Sequence, residues 1–394
     1  MNIVVSGIGI TSALGIGVES NITKIKAGQS GISPCPEILR TDNQMPVGEL
    51  KLTNEELKSR LGIAASKPVS RTALLGMLAV DEAIKDAGLD VGSRVGLVSS
   101  TSVGGMDLTE HFFREFMENE AKGRLRYVSM HDCAASTNAI ADYCKITGYT
   151  TTVSTACSSA ANSIIIGARL LRHHIVDSVI VGGTDSLSAF TLNGFKSLMI
   201  LDKECCRPFD KNRAGLNLGE GAGYLVLQRE EDTTTYYCSL LGYSNRNDAY
   251  HQTASSKTGD GAYMAMNDAI KMAGISPDEV DYINVHGTGT ENNDLSEGVA
   301  MSRLFKNKVP MFSSTKAFTG HALAAAGGIE AVLSVLSVRY GYIYPTINFR
   351  DPIEGLGLIP CTEFQIKKEG LSYVLSNSFG FGGNCSSILF ARKK

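Results

Sequence analysis

Among its nine cysteines the 394-residue chain has no Cys-x-x-Cys pair, and the count is odd. Both facts argue against a zinc ribbon and against a fully paired disulfide framework. Neither charge dominates: 37 Lys and Arg face 40 Asp and Glu for a formal charge of −3, which excludes a basic nucleic-acid footprint over the whole surface. No uninterrupted apolar run approaches the roughly 18 residues of a spanning helix. The opening MNIVVSGIGITSALG lacks the basic region of a signal peptide. No low-complexity segment is present. These absences predict a cytoplasmic, metal-free protein whose thiols are mostly small buried hydrophobes.

What is present points to an α/β enzyme. Forty-one glycines without collagen or linker periodicity imply many tight turns and close backbone approaches. Apolar runs at 3–6, 95–99, 178–181, 224–227, 282–286 and 373–375 alternate with helical patterns, which predicts largely buried sheets. An internal repeat accompanies the alternation. Residues 79–88 read AVDEAIKDAG and 265–274 read AMNDAIKMAG, identical at six of ten positions. Each copy ends in a glycine suited to close a helix and is followed by an apolar run and a small-residue turn. The chain is therefore expected to be two related halves, 1–232 and 233–394, joined through the polar stretch at 230–235. A site between such halves should draw residues from both.

Four segments carry candidate chemistry. Cys157, in STACSSAAN, follows a strand-like run and precedes a long apolar stretch. At such a turn the helix N-terminus is expected to lower the thiol pKa. His286 opens the turn HGTGT, with Asp294 eight residues on. Lys316 and His321 stand in SSTKAFTGH, and Glu330, nine residues further in an apolar stretch, needs a cation for which Lys316 is available. The Gly-rich segment 377–384, NSFGFGGN, reads as a turn that bares backbone N–H groups, as an oxyanion hole requires. By contrast Gly7-Ile8-Gly9 lacks the third glycine and distal acid of a dinucleotide loop. Cys205-Cys206 has no ligand spacing around it and reads as packing.

Together these segments, with GIGITSALG and RPFDKNRAGLNLGEGAGYLVL, resemble the β-ketoacyl-[acyl-carrier-protein] synthases of the thiolase superfamily over nearly the whole chain. The resemblance implies a five-layered α-β-α-β-α fold from two duplicated halves and a decarboxylative Claisen condensation without a cofactor. It implies that Cys157 accepts the acyl group, that His286 and His321 bind malonyl thioester and promote its decarboxylation, and that Lys316 and Glu330 support them. Cys157 and Phe381 would supply the oxyanion-hole N–H groups, with Phe381 also the gate of the acyl pocket. Thr288, Thr290, Phe379 and Val103 would line the substrate site. The implied partner is an acyl carrier protein, for which Lys122, Arg124 and Arg126 form the densest basic cluster. A homodimer, or a heterodimer with a chain-length subunit, is implied too.

Two departures matter. The nucleophile motif TACSSAAN differs from the TACATG common in fatty-acid elongation, and GFGGNC stands where GFGGTN is usual. They leave the reaction class intact and the pathway open between fatty-acid elongation and a polyketide or aryl-polyene route. A thiolase using Cys385 as a second catalytic cysteine is disfavoured by the Cys/His/His set, and a cysteine protease leaves Lys316 and His321 without a role. A non-catalytic chain-length subunit would typically lack Cys157.

Overall fold

A computed structural model describes residues 1–92, 94–306 and 308–393. Ten strands carry the fold: β1 (Ile3–Ser12), β2 (Val95–Ser100), β3 (Thr150–Val153), β4 (Ser178–Asp185), β5 (Gly221–Arg229), β6 (Cys238–Asn247), β7 (Tyr282–Asn284), β8 (Met311–Ser313), β9 (Tyr373–Gly380) and β10 (Asn384–Ala391). Six helices complete the pattern: α1 (Arg71–Ala87), α2 (Cys133–Cys144), α3 (Ser159–Arg172), α4 (Asp260–Ala273), α5 (Glu291–Phe305) and α6 (Ala326–Tyr340).

The strands run in the order β8-β7-β9-β10-β6-β1-β5-β4-β2-β3. Read outward from the centre, each half has the same sequence of neighbours, and β6 to β10 repeat the order of β1 to β5. The hydrogen-bonding senses repeat as well: β2 lies parallel to β3 and β4, as β7 does to β8 and β9, while β5 and β10 are antiparallel to their neighbours. The halves meet where β1 and β6 pair antiparallel at Val4–Ser239 and Val5–Cys238.

The helices occupy three layers. α1 and α2 cover the outer face of the first half, α4 and α5 that of the second, and α3 and α6 lie between the halves. This is the expected α-β-α-β-α stack. α6 is buried on nearly every side, as a helix walled by both halves of the sheet must be. The segment Leu323–Tyr340 is long and apolar enough to cross a membrane by length and composition, yet it sits inside the protein between the two halves.

The repeat seen in the sequence has a packing reason. Gly7 on β1 lies so close to α1 that an added Cβ would stand 2.4 Å from the Ala83 carbonyl oxygen; on β6 a Cβ at Gly242 would stand 2.1 Å from that of Ala269. Ala83 and Ala269 occupy the same place in the two repeat copies, and both strands carry a bulge just before the glycine. Both helices then end on a left-handed glycine, Gly88 and Gly274. Gly7-Ile8-Gly9 is thus a helix-packing surface inside a strand.

A second device ties the first half together. Arg71 and Glu220 are both buried, and the guanidinium grips the carboxylate through Nε at 2.8 Å and Nη2 at 2.6 Å while also donating to the carbonyls of Leu50 and Leu52. Removing one member leaves the other charge without a partner.

Gly7→Ala and Gly242→Ala are each expected to cost about 1–3 kcal/mol and to lower the thermal midpoint. Gly194→Ala, where an added Cβ meets nothing within 4 Å, should leave it unchanged or slightly raised. Equal midpoints for all three would show that the close strand–helix approach is not required.

Candidate active site

Cys157 sits in the turn that carries the chain from β3 into α3. Ala156 before it has φ of 51°, a left-handed conformation unusual for a residue with a Cβ. Side chains stabilise that bend: Ser159 Oγ accepts from the Thr155 N–H at 2.7 Å and donates to the Ala156 carbonyl at 2.6 Å, and Ser158 Oγ donates to the Thr155 carbonyl at 2.8 Å. The two serines of the motif therefore shape the nucleophile turn.

The helix N-terminus was expected to lower the thiol pKa. The structure corrects this: Cys157 is buried, and burial pushes its thiol up to about 11, with Lys316 and the Phe381 N–H opposing the rise. Desolvation of the thiolate outweighs the helix end.

His286 follows β7 in a turn held by two buried carboxylates of α5. Glu297 accepts from the N–H groups of His286 and Gly287, both at 2.9 Å, and from Asn377 Nδ2 at 3.0 Å. Asp294 accepts from Thr288 at 3.0 Å and Gly289 at 3.1 Å. Every donor in the tight turn thus has an acceptor. Asp294 stood out only by its spacing in the sequence, and Glu297 gave no local signal because two of its partners are backbone groups and the third, Asn377, is 80 residues away in the chain.

His321 and Lys316 follow β8. The Leu323 N–H donates to His321 Nδ1 at 3.2 Å, and the Lys316 ammonium donates to the His286 carbonyl at 2.5 Å and approaches His286 Nδ1 at 3.4 Å. An imidazole nitrogen that accepts cannot carry the proton, so both rings present Nε2–H. The rings lie 5.3 Å apart, edge to face. Burial, then the Lys316 charge, holds both pKa values well below the usual 6.5, so both imidazoles are neutral donors. Lys316 also pairs with Glu330 on α6, whose carboxyl is raised by burial and drawn back by that ammonium.

The structure gathers Cys157, His286, His321, Thr288, Thr290, Phe379 and Phe381 around one cavity of about 270 Å³, with Lys316 and Glu330 behind it. Val103 is not on that wall. It packs with Leu187, Leu192, Leu216 and Leu323 in a neighbouring apolar cluster, because Asp185 draws its loop inward by accepting from the N–H groups of Ser102 and Val103.

The Gly-rich segment also differs from expectation. β9 continues to Gly380, paired with β10, so only Phe381–Gly383 form the turn. Phe195, which sequence reasoning missed, stacks on Phe381 with ring centroids 5.8 Å apart. Phe195 arrives from a helix distant in sequence, Ala189–Ser197, so no local pattern could mark it. Among the described residues no group of three or more His, Cys, Asp or Glu is placed to hold a metal ion.

A duplicated sheet of this order with a thiol at its seam places the chain among thiolase-like enzymes. The match to known proteins is closer than fold. Residues 1–233 match the family description "Beta-ketoacyl synthase, N-terminal domain" and residues 237–350 its C-terminal counterpart. A 3-oxoacyl-[acyl-carrier-protein] synthase 2 of Vibrio cholerae is 31% identical, with 99% of each chain covered, and one of Staphylococcus aureus is 32% identical over 100% of this chain and 98% of its own. Among solved structures, a ketosynthase (ApeO) in complex with its chain length factor (ApeC) from Xenorhabdus doucetiae is 32% identical, with a TM-score of 0.85 over 100% of this chain and 98% of the other. The ishigamide ketosynthase/chain length factor is 27% identical, with a TM-score of 0.93 over 100% and 99%. The chain belongs to the β-ketoacyl synthase family.

With its thiol near 11, Cys157 should be alkylated by iodoacetamide about tenfold faster for each pH unit from 7 to 9, read by mass on the Cys157 peptide. A plateau below pH 8 would show an activated thiolate and contradict the burial argument.

Proposed function

We propose that the protein condenses a Cys157-bound acyl group with malonyl-[acyl-carrier protein] to give 3-oxoacyl-[acyl-carrier protein] and CO₂, as an acyltransferase of fatty-acid elongation. The observation that carries the reading is the pair of neutral imidazoles with Nε2–H fixed beside a buried thiol. The names of the relatives in Vibrio cholerae and Staphylococcus aureus support the carrier and the reaction.

In the first half-reaction the Cys157 sulfur attacks an acyl-carrier thioester, the tetrahedral oxyanion rests on the N–H groups of Cys157 and Phe381, and the carrier thiol leaves. In the second, malonyl thioester binds with its carbonyl oxygen against His286 and His321. The C–C bond to the carboxylate breaks, CO₂ departs, and the electron pair becomes an enolate stabilised by the two Nε2–H donors. Its carbon attacks the Cys157 thioester, and collapse releases 3-oxoacyl carrier and the Cys157 thiolate, which takes a proton from water to restore the thiol. Neutral donors suit this charge flow, because an imidazolium would stabilise the departing carboxylate's ground state as well as the enolate. Lys316 and Glu330 act by orienting His286.

Carrier docking is assigned to Lys122, Arg124 and Arg126. All three are exposed, and the two guanidinium groups lie 6.0 and 5.8 Å from the centre of the Tyr127 ring, which keeps them together at the start of one short helix, Leu125–Met130, that Arg124 caps. The proposal includes a dimer, either of two copies or with a chain-length subunit like those named for the two structural relatives. It also includes a cytoplasmic location, where Cys157 stays reduced.

Incubation with acyl carrier should add the acyl mass to Cys157, and later addition of malonyl carrier should release CO₂ and 3-oxoacyl carrier. His321→Ala should keep the acyl mass gain while CO₂ release falls about 10²–10³-fold, the scale for losing a charge-stabilising donor. Acylation with no CO₂ release by the unaltered enzyme would contradict the condensation. Arg124→Glu with Arg126→Glu should raise KM for carrier-bound acyl groups and spare a small thioester; equal losses on both would place docking elsewhere.

A further inference from the structure

The two departures from the usual elongation motifs meet in space. Ser158, from TACSSAAN, has its Oγ 3.0 Å from Asn384 Oδ1, so that its one hydroxyl proton is shared between that oxygen and the Thr155 carbonyl, and Asn162 Nδ2 of the same motif reaches Asn384 Oδ1 at 3.2 Å. Asn245 on β6 joins them, donating to Asn384 Oδ1 at 2.5 Å and to Asn162 Oδ1 at 2.9 Å. Ser386 donates to Asn162 Oδ1 at 3.0 Å, and Asn162 Nδ2 returns to Thr155 Oγ1 at 2.8 Å. Ser158, Asn162 and Ser386 are buried, Asn384 is half-buried and Asn245 is exposed. The cluster therefore joins the start of α3 in the first half to the start of β10 in the second.

What it joins is specific. Ser158 is the residue after Cys157, and Asn384 closes the turn that begins at Phe381. Between these ends the two backbones nearly touch: a Cβ at Gly380 would stand 3.1 Å from the Cys157 nitrogen and 3.2 Å from the Ser158 nitrogen. The Phe381 N–H favours the Cys157 thiolate, so its distance from Sγ matters to the chemistry. The outer edge of the turn is held separately, by Asn247 Nδ2 on the Gly382 carbonyl at 2.9 Å and by the Gly382 N–H on the Gln252 carbonyl at 2.6 Å. Loss of the inner contacts should thus let the turn shift without unfolding it.

We infer that Asn384, Asn162 and Ser158 are positioning residues that lock the Phe381–Gly383 turn onto the nucleophile turn and so fix the spacing of the two oxyanion N–H donors. None of the three side chains contacts the reacting atoms; they act through the backbone of Phe381 and Cys157. The inference rests on the condensing reaction proposed above for its purpose, but its test does not need that reaction. Without the lock the Phe381 N–H drifts from Sγ, the thiolate loses a hydrogen bond, and the thiol becomes harder to ionise.

The test is iodoacetamide alkylation of Cys157 as a function of pH, read by peptide mass, on Asn384→Ala, Asn162→Ala and the double variant, with thermal midpoints measured in parallel. Each single variant is expected to be alkylated about tenfold more slowly at pH 8, equivalent to roughly one pKa unit, with the pH profile displaced to higher pH. The double variant should be no slower than the slower single, since both open the same lock. Ser158→Ala, which deletes one hydroxyl, reads the same quantity if Asn384→Ala does not fold. An unchanged pH profile at a lowered midpoint would show a purely structural role and overturn the inference, as would a double variant equal to the product of the singles. Acyl transfer by the unaltered enzyme is measured separately, so failure of the condensing reaction and failure of the lock are distinguishable.

Discussion

One buried ammonium organises this site. Lys316 lies out of water, where an isolated charge would cost several kcal/mol, and it is tolerated because Glu330, the His286 carbonyl and His286 Nδ1 surround it. Those partners come from different layers: Glu330 from the central helix α6 and His286 from the turn after β7. The ammonium thereby fastens the catalytic turn to the middle of the molecule. It also sets chemistry, since its charge adds to burial in keeping both imidazoles neutral and its proton keeps His286 Nδ1 an acceptor.

The duplication explains why such a centre forms at a seam. Cys157 follows β3 and precedes α3; Lys316 and His321 follow β8 and precede α6, the matching position of the second half. β9 then delivers Phe379 and Phe381 from the second half, and β4 delivers Asp185 from the first. Asp185 accepts from the Ala324 N–H at 2.8 Å, three residues past His321, as well as from the loop after β2. The buried carboxylate, its pKa lifted to about 6 by desolvation, thus ties the two halves beside the cavity. α3 and α6, packed face to face in the middle layer, bring the two equivalent turns together.

Much of this was legible in sequence. The duplicated helix with its terminal glycine marked the repeat because both copies must let a strand lie against an alanine face. Cys157, His286, Lys316, His321 and Glu330 stood out because their residue types are costly or reactive in apolar, glycine-rich surroundings, whereas Phe381 was marked only by the resemblance to the condensing enzymes. What escaped depends on distance in space. The extension of β9 to Gly380 follows from its pairing with β10, which overrides the turn tendency of its glycine. Phe195 meets Phe381 across the cavity, Glu297 serves backbone donors, and the Val103 loop is drawn inward by Asp185. The thiol pKa ran opposite to the local expectation because burial is a property of the whole fold.

The central claim is that two neutral imidazoles, each carrying its proton on Nε2, face a shared cavity with Cys157. Nitrogen-15 NMR of the histidine side chains reads it directly, with His286→Asn and His321→Asn variants assigning the signals. Five other histidines serve as internal references. The account requires His286 and His321 to show the Nε2–H tautomer without change from pH 8 to pH 6. Titration of either ring near 6.5, or an Nδ1–H tautomer at His321, would contradict it.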